Sequence, residues 1–239
     1  MIDLYYYTSP NARKVLMMLE ETGLPYEVKW TDISAGDQHA EPYGAINPNR
    51  KVPAIVDHDG PGGRAVTVFE SGAILLYLAE KTGRLLPTDP VQRSSVIQWL
   101  FWQTSSQGPL LGQAAHFVSH AANRGVDAPY AVQRYRREAE RLYAVLNDRL
   151  AGRDYIGDEF SIADIAAFPW VRVAKGQGVN LDDFPAVKRW CDRIAERPSA
   201  RKKLDRDDAT KQAAKLNYYT DKTWNVLFAG QAPSDSRAS

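Results

Sequence analysis

The first part of the chain, up to about residue 85, alternates between strand-like and helix-like patterns of apolar positions. Short runs of β-forming residues with alternating polarity predict four strands, and apolar positions at helical spacing predict two longer helices. The predicted strands cover 2–6, 26–30, 54–57 and 65–69, and the predicted helices begin at Ser9-Pro10 and at Glu70 and stop at Gly23 and Lys81. Strands and helices in this order predict a small mixed sheet with helices packed on it.

After a short proline-bearing linker at 86–90, only helical periodicity is found. A stripe of apolar residues predicts one long amphipathic helix, formed by Tyr135, Ala139, Leu142, Leu146 and Leu150. A helix starting near Ser161 is apolar nearly all round and is predicted to be buried, with Pro169 bending or ending it. Another is predicted from Pro185 to Glu196. The fold class is therefore α/β plus all-α, with one domain over 1–84 and a helical domain over 91–239.

Ser161 and Asp164 have the spacing of a reciprocal helix cap. The Ser161 hydroxyl can accept from the Asp164 backbone N–H, and the Asp164 carboxylate can accept from the Ser161 N–H. Phe160 and Ile165 are placed to form the accompanying hydrophobic staple. Because any helix can begin this way, the pattern indicates a function only together with other motifs.

The composition excludes several classes of protein. Hydrophobic residues make up 44% of the 239 positions and charged residues 25%, and the net charge is +1, which is typical of a soluble globular protein. No basic, aromatic-interleaved run indicates nucleic-acid binding, and no apolar run approaches the roughly 20 residues that span a bilayer. The N-terminus has no pattern of a secretory signal, and the single cysteine, Cys191, excludes a disulfide framework. We therefore expect a cytoplasmic protein without a metal site.

The turn after the first predicted strand contains Thr8, Ser9 and Asn11 at the start of a helix. Free N–H groups and a partial positive charge at a helix N-terminus stabilise anions, thiolates included. Since Cys191 lies far along the chain, a thiolate at this turn would have to come from a ligand. Taken alone, the pattern favours plain helix capping by Ser9 and Asn11 over catalysis.

Two further motifs lie upstream of predicted elements. Val52-Pro53 precedes the third strand, where a cis bond would turn the backbone groups of Val52 outward to pair with an extended peptide. Since few X–Pro bonds are cis, the spacing alone favours trans. Glu70-Ser71 begins the next helix, and an acid, a hydroxyl and helix N-terminal amides suit a ligand that carries both a carboxylate and an ammonium. Capping is an equally good interpretation of Glu70-Ser71 alone.

Together these motifs resemble the glutathione transferase superfamily over Met1 to about Gln231, and within it the bacterial Nu class. The narrower resemblance is carried by Met1–Tyr5, Ser9–Asn11, Ile46–Asn49, Phe69–Leu78, Gln98–Gln103 and Tyr130–Tyr135. It implies a thioredoxin-like N-terminal domain, an all-helical C-terminal domain and a cis Val52–Pro53 bond. It also implies a homodimeric glutathione transferase with glutathione-dependent disulfide-bond reductase activity, one or two glutathiones per active site, and no metal.

The resemblance also assigns residue roles. Asn11 would face the glutathione sulfur, Ser9 stands where this class usually has Thr, and Thr8 is the neighbouring hydroxyl. Which hydroxyl assists Asn11, among Thr8, Ser9 and the tyrosines of the first strand, stays open. The implied binding residues are Gln38 and Lys51 for the glycyl end, Val52 and Pro53 for the cysteinyl backbone, Glu70 and Ser71 for the γ-glutamyl end, and Arg134 for the sulfur or a second glutathione.

Two rival functions fit the same residues. A glutathione-dependent ether-cleaving enzyme or lyase would use the aromatic second half and tail against an aromatic substrate. A non-catalytic glutathione-binding regulatory module would keep the binding positions without turnover. The aromatic tail residues Tyr218, Tyr219 and Trp224 could close over the electrophile pocket, and the sequence does not identify the electrophile.

Overall fold

The computed structural model describes residues 1–204, 206 and 220–228, so Tyr218 and Tyr219 lie outside the described residues. Its strands are β1 (Ile2–Tyr6), β2 (Tyr26–Trp30), β3 (Ala54–Asp57) and β4 (Val66–Phe69). They form one sheet in the order β2-β1-β3-β4, in which β1 pairs parallel with β2 and antiparallel with β3, and β3 pairs antiparallel with β4. The predicted mixed sheet is confirmed, with β4 one residue shorter than expected.

Three helices accompany the sheet: α1 (Pro10–Thr22), α2 (Glu41–Ile46) and α3 (Ser71–Thr82). Ser9 caps α1 by accepting from the Ala12 N–H at 3.2 Å, and Pro10 occupies the first helical position, where its missing N–H costs nothing. Gly23, at φ 72°, ends the helix in the left-handed conformation that a residue without Cβ adopts at little cost. Both predicted ends of α1 are therefore confirmed.

The later described elements are helical. They are α4 (Pro90–Trp102), α5 (Gly108–Ala115), α6 (Pro129–Leu150), α7 (Ile162–Val171), α8 (Pro185–Ala195), α9 (Pro198–Arg201) and α10 (Asp221–Phe228), which carries Trp224. The predicted stripe of α6 is buried at its last four positions, from Ala139 to Leu150. Helix α7 ends two residues after Pro169, as expected for a proline that cannot continue the hydrogen-bond ladder.

The chain divides into two compact units. One consists of residues 1–74 with the described residues from 202 onward, and the other of residues 75–201. The domain boundaries at 84 and 91 inferred from the sequence stay predictions. None of the helices in the described ranges is long and apolar enough to cross a bilayer.

The predicted cap of α7 is present and is more extensive than the sequence pattern implies. The fully buried Asp164 carboxylate accepts from the backbone N–H groups of Ser161 at 3.0 Å and Ile156 at 2.9 Å. It also accepts from the Ser161 hydroxyl at 3.1 Å and from the Trp190 indole at 2.8 Å. Burial raises the pKa of Asp164 to about 6, and the four hydrogen bonds oppose that shift. One side chain thus joins the loop before α7 to α8.

We predict that Asp164→Ala lowers the free energy of unfolding by at least about 3 kcal/mol, because it leaves several buried donors without an acceptor. The matched control is Asp158→Ala in the same loop, whose exposed ion pair with Arg153 (3.2 Å) should contribute less than about 1 kcal/mol. Denaturant unfolding of both variants checks the difference. Equal stability of the two variants would contradict the role given to the buried carboxylate.

Candidate functional site

The register of the sheet brings three chain segments to one of its ends. Tyr5, near the end of β1, lies opposite Ala54 at the start of β3, and Ala54 lies opposite Phe69 at the end of β4. The turn after β1, the segment before β3 and the residues after β4 therefore emerge side by side, in the order β1, β3, β4. These are the three segments that carry the sequence motifs of the first unit.

The turn after β1 leads into the N-terminus of α1. Asn11 is the second residue of that helix and is partly buried, as are Thr8 and Ser9. Helix α1 has no acidic residue in its first turn, so no side chain there offsets the partial positive charge of its free N–H groups. The Ser9 oxygen accepts a hydrogen bond from the helix, which confirms the predicted capping role of this residue. The Ser9 hydroxyl proton is not used in that bond and can be donated to another group.

The tyrosines of this segment are engaged in packing. Tyr6 is buried, and its ring lies 6.0 Å from that of Trp30. Burial raises the pKa of Tyr7 while a hydrogen bond with Ser34 lowers it, so this hydroxyl is neutral and already faces a partner. Burial also raises the pKa of Tyr5. Neither Tyr5 nor Tyr7 is prepared to act as a phenolate, because burial favours the neutral form of both side chains.

The segment before β3 presents backbone rather than side-chain groups. The Lys51 carbonyl accepts from the Tyr43 hydroxyl at 2.5 Å and from the Asn47 side-chain amide at 2.6 Å. Because N–H and C=O of a trans peptide point in opposite directions, this arrangement turns the Val52 N–H away from those two side chains. Neither the N–H nor the C=O of Val52 has a hydrogen-bond partner within the described residues.

The Val52–Pro53 peptide bond is cis, as the resemblance implied, and both residues are buried. Asn47, which the sequence analysis did not single out, is fully buried, and its Oδ1 also accepts from the Asn49 N–H at 2.9 Å. It fixes the whole loop from 47 to 51 with one side chain. Asn–Pro pairs favour turns, which is a local signal that could have pointed to Asn47.

Gln38 and Lys51 have different surroundings. Gln38 is buried on a short 3₁₀ turn, where its amide nitrogen donates to the Ile33 carbonyl at 3.2 Å and its Oε1 has no partner in the described part of the chain. A buried acceptor without a partner is costly unless water or a ligand supplies a donor. The Lys51 side chain is exposed, while its carbonyl is held by the interactions described above.

Glu70 and Ser71 lie at the N-terminus of α3. Glu70 precedes the helix at φ 70°, a backbone conformation that costs a non-glycine residue about 1 kcal/mol or more and that is enriched at functional sites. Its exposed carboxylate accepts from Asn49 Nδ2 at 3.2 Å. Ser71 is buried, and its Oγ accepts from Lys14 Nζ at 3.1 Å.

The candidate residues that follow β1, precede β3 and follow β4 are thus brought to one end of the sheet, whereas Arg134 belongs to the other unit. Arg134 is exposed on α6 and borders a surface pocket of that helix with Tyr130, Arg137 and Arg141. Lys14 and Asn47 are the residues that the sequence analysis missed. Among the residues described, no group of three or more His, Cys, Asp or Glu side chains is arranged to hold a metal ion.

Comparisons with known proteins give a consistent result. The N-terminal domain family of glutathione S-transferases matches residues 8–81, and their C-terminal domain family matches residues 115–198. The disulfide-bond oxidoreductase YfcG of Escherichia coli K12 is 48% identical over 201 residues, which cover 83% of this chain and 92% of that protein.

Two solved bacterial structures are similar. A Pseudomonas putida glutathione transferase with one glutathione disulfide per subunit has a TM-score of 0.80 and 42% identity, covering 83% of this chain and 88% of its own. A Burkholderia graminis glutathione transferase with two glutathiones per subunit has a TM-score of 0.78 and 43% identity, and the match covers 83% of this chain and 85% of that one. The thioredoxin-like and helical fold class is thereby confirmed, and this chain belongs to the glutathione S-transferase family.

Proposed function

We propose that this protein is a glutathione transferase that uses bound glutathione to reduce disulfide bonds. The observation that carries the proposal is the backbone of Val52, which has no hydrogen-bond partner among the described residues and lies beside two helix N-termini at one end of the sheet. An extended tripeptide would pair with Val52 at its centre, place its sulfur at α1 and place its γ-glutamyl end at α3. Gln38 and Lys51 would meet the glycyl end, with the buried Gln38 Oε1 ready to accept a hydrogen bond.

The proposed chemistry requires only a stabilised thiolate. Bound glutathione loses its thiol proton because Asn11 and the N-terminal amides of α1 favour the anion, and Thr8 or Ser9 supplies a hydroxyl donor. The thiolate attacks one sulfur of the substrate disulfide, which forms a mixed disulfide with glutathione and releases the other sulfur as a thiolate. A second glutathione attacks the mixed disulfide, so that glutathione disulfide and two substrate thiols are the products.

Two findings support disulfide chemistry over the ether-cleaving, lyase and purely regulatory alternatives. A relative that is 48% identical is a disulfide-bond oxidoreductase, and the similar bacterial structures hold glutathione disulfide or two glutathiones per subunit. The proposal also places the protein in the cytoplasm, since the reaction consumes reduced glutathione, which the cytosol maintains. Activity with 2-hydroxyethyl disulfide, an aryl halide, a peroxide and a β-aryl ether, compared side by side, tests the choice of reaction.

We further propose a homodimer. Helix α4 exposes Val91, Ser94, Gln98 and Phe101, which recur every three or four residues and form one stripe. Phe101 is 63% exposed and Val91 is 78% exposed, and a contact between two copies of this helix would remove both apolar side chains from water. We expect the wild type to sediment as a dimer and Phe101→Glu as a monomer at micromolar concentration. A Phe101→Glu dimer of unchanged affinity would remove this helix from the interface.

Asn11→Ala should lower disulfide turnover about tenfold or more, the effect of losing one donor to a thiolate or transition state, while glutathione binds nearly as well. Asn11→Asp should be slower still, because a carboxylate of the same shape disfavours the neighbouring anion. Steady-state kinetics with 2-hydroxyethyl disulfide and calorimetric glutathione binding separate the two effects. Turnover close to the wild type in Asn11→Ala would remove Asn11 from the mechanism.

Glu70→Ala should raise the KM for glutathione about tenfold and change kcat little, since the carboxylate is proposed to bind the γ-glutamyl ammonium. Glu80→Ala is the matched control, because Glu80 lies in α3, which Glu70 directly precedes, in an exposed ion pair with Arg93 at 2.6 Å. Its KM should equal that of the wild type. If the two variants have the same KM for glutathione, Glu70 has only a structural role at the N-terminus of α3.

Cys191 is buried in α8, and burial raises the pKa of its thiol to about 11, so a thiolate is disfavoured there. Cys191→Ser should therefore leave the disulfide rate within about twofold, as expected for a residue outside the chemistry. Arg134→Ala should instead lower the disulfide rate, because the resemblance places this residue near the sulfur or a second glutathione. Arg141→Ala, on the same helix, is the control. A mixed disulfide trapped at Cys191 would overturn glutathione as the sole sulfur nucleophile.

A further inference from the structure

Lys14 is a charged residue in the core of the first unit. It lies in α1 among apolar neighbours and is only 1% exposed. Lysine is almost never fully buried unless its ammonium is paired or hydrogen-bonded, because removing the charge from water is costly. Burial lowers the pKa of Lys14 to about 7, and the charge of Glu70 partly opposes that shift. Packing alone does not explain why a lysine, with the free-energy cost of removing its ammonium from water, occupies this core position.

The geometry around Lys14 connects the two helix N-termini of the site. Lys14 follows Asn11 by three residues and so lies on the same side of α1. Its Nζ donates to the Oγ of Ser71, the first residue of α3, at 3.1 Å. In its protonated form Lys14 only donates hydrogen bonds, so Ser71 Oγ is then the acceptor in this pair, and a bound carboxylate nearby favours that protonated form. The Ser71 hydroxyl proton is therefore left to be donated elsewhere.

We propose that Lys14 is a positioning residue for the γ-glutamyl carboxylate of glutathione, acting through Ser71. This inference rests on the proposed function, since it takes the N-terminus of α3 as the γ-glutamyl site. The ammonium turns the Ser71 O–H toward the ligand and places a positive charge behind it, where it adds to the partial charge of the helix. Glu70 binds the ligand ammonium, and the Lys14–Ser71 pair binds the ligand carboxylate.

This division of roles can be tested with glutathione and two analogues. Glutaryl-Cys-Gly keeps the carboxylate but lacks the ammonium, and 4-aminobutyryl-Cys-Gly keeps the ammonium but lacks the carboxylate. Lys14→Met, which fills the same space without charge, should weaken glutathione and glutaryl-Cys-Gly about tenfold or more. Its Kd for 4-aminobutyryl-Cys-Gly should stay within about twofold of the wild type. Glu70→Gln should show the opposite selectivity.

A double-variant cycle tests the route through Ser71. In the Ser71→Ala background, Lys14→Met should raise the Kd for glutathione by a much smaller factor than it does in the wild type, because the two side chains act as a unit. Lys14→Gln supplies a second single variant, a neutral donor expected to retain part of the carboxylate binding. Thermal unfolding of each variant establishes that the compared proteins are folded.

The possible outcomes separate the inference from the proposed function. If the wild type fails to bind glutathione, the proposed function is wrong. If the wild type binds but Lys14→Met and Lys14→Gln weaken all three ligands equally, or none of them, the positioning role is wrong. Additive effects of Lys14→Met and Ser71→Ala would likewise overturn the route through Ser71. Loss confined to the two carboxylate-bearing ligands supports the inference.

Discussion

The strand register of the small sheet is the constraint on which the candidate site depends. Because β1 and β4 both end where β3 begins, three segments far apart in sequence emerge together. A slip of one residue in β1 would turn its alternate buried side chains, Ile2, Leu4 and Tyr6, to the opposite face of the sheet. The hydrophobic alternation that fixes the register therefore also aligns the Asn11, Val52 and Glu70 segments with one another.

The site built on this edge uses backbone more than side chains. Helix N-termini supply partial positive charge, and Val52 supplies a donor and an acceptor, so much of the proposed recognition does not depend on side-chain identity. Several side chains contribute by hydrogen-bonding to that backbone and fixing its position. Ser9 caps α1, and Asn47 with Tyr43 fixes the Lys51 carbonyl.

Most of the fold of the described residues was predictable from the sequence because it is encoded locally. Alternation gave the strands, helical spacing and Gly23 gave α1, and the Ser161–Asp164 spacing gave the start of α7. The partners of buried polar groups were not predictable in the same way. Lys14 meets Ser71 across 57 positions, and the Asp164 carboxylate reaches the Trp190 indole across 26. No local pattern carries such pairings, and the left-handed backbone of Glu70 also has no sequence signal, since glutamate does not favour it.

The two hydrogen bonds on the Lys51 carbonyl give the backbone and the side chain of this residue different roles. The backbone of Lys51 is committed to orienting the next peptide, whereas its side chain is exposed and makes no part of that arrangement. On the proposed function, substitution at position 51 would therefore change the contact with the glycyl end of the ligand without disturbing how the peptide backbone pairs at Val52. Position 47 has no such freedom, because its side chain is one of the two that hold the Lys51 carbonyl. In an evolving family, specificity at this end of the ligand can drift while the pairing geometry is inherited.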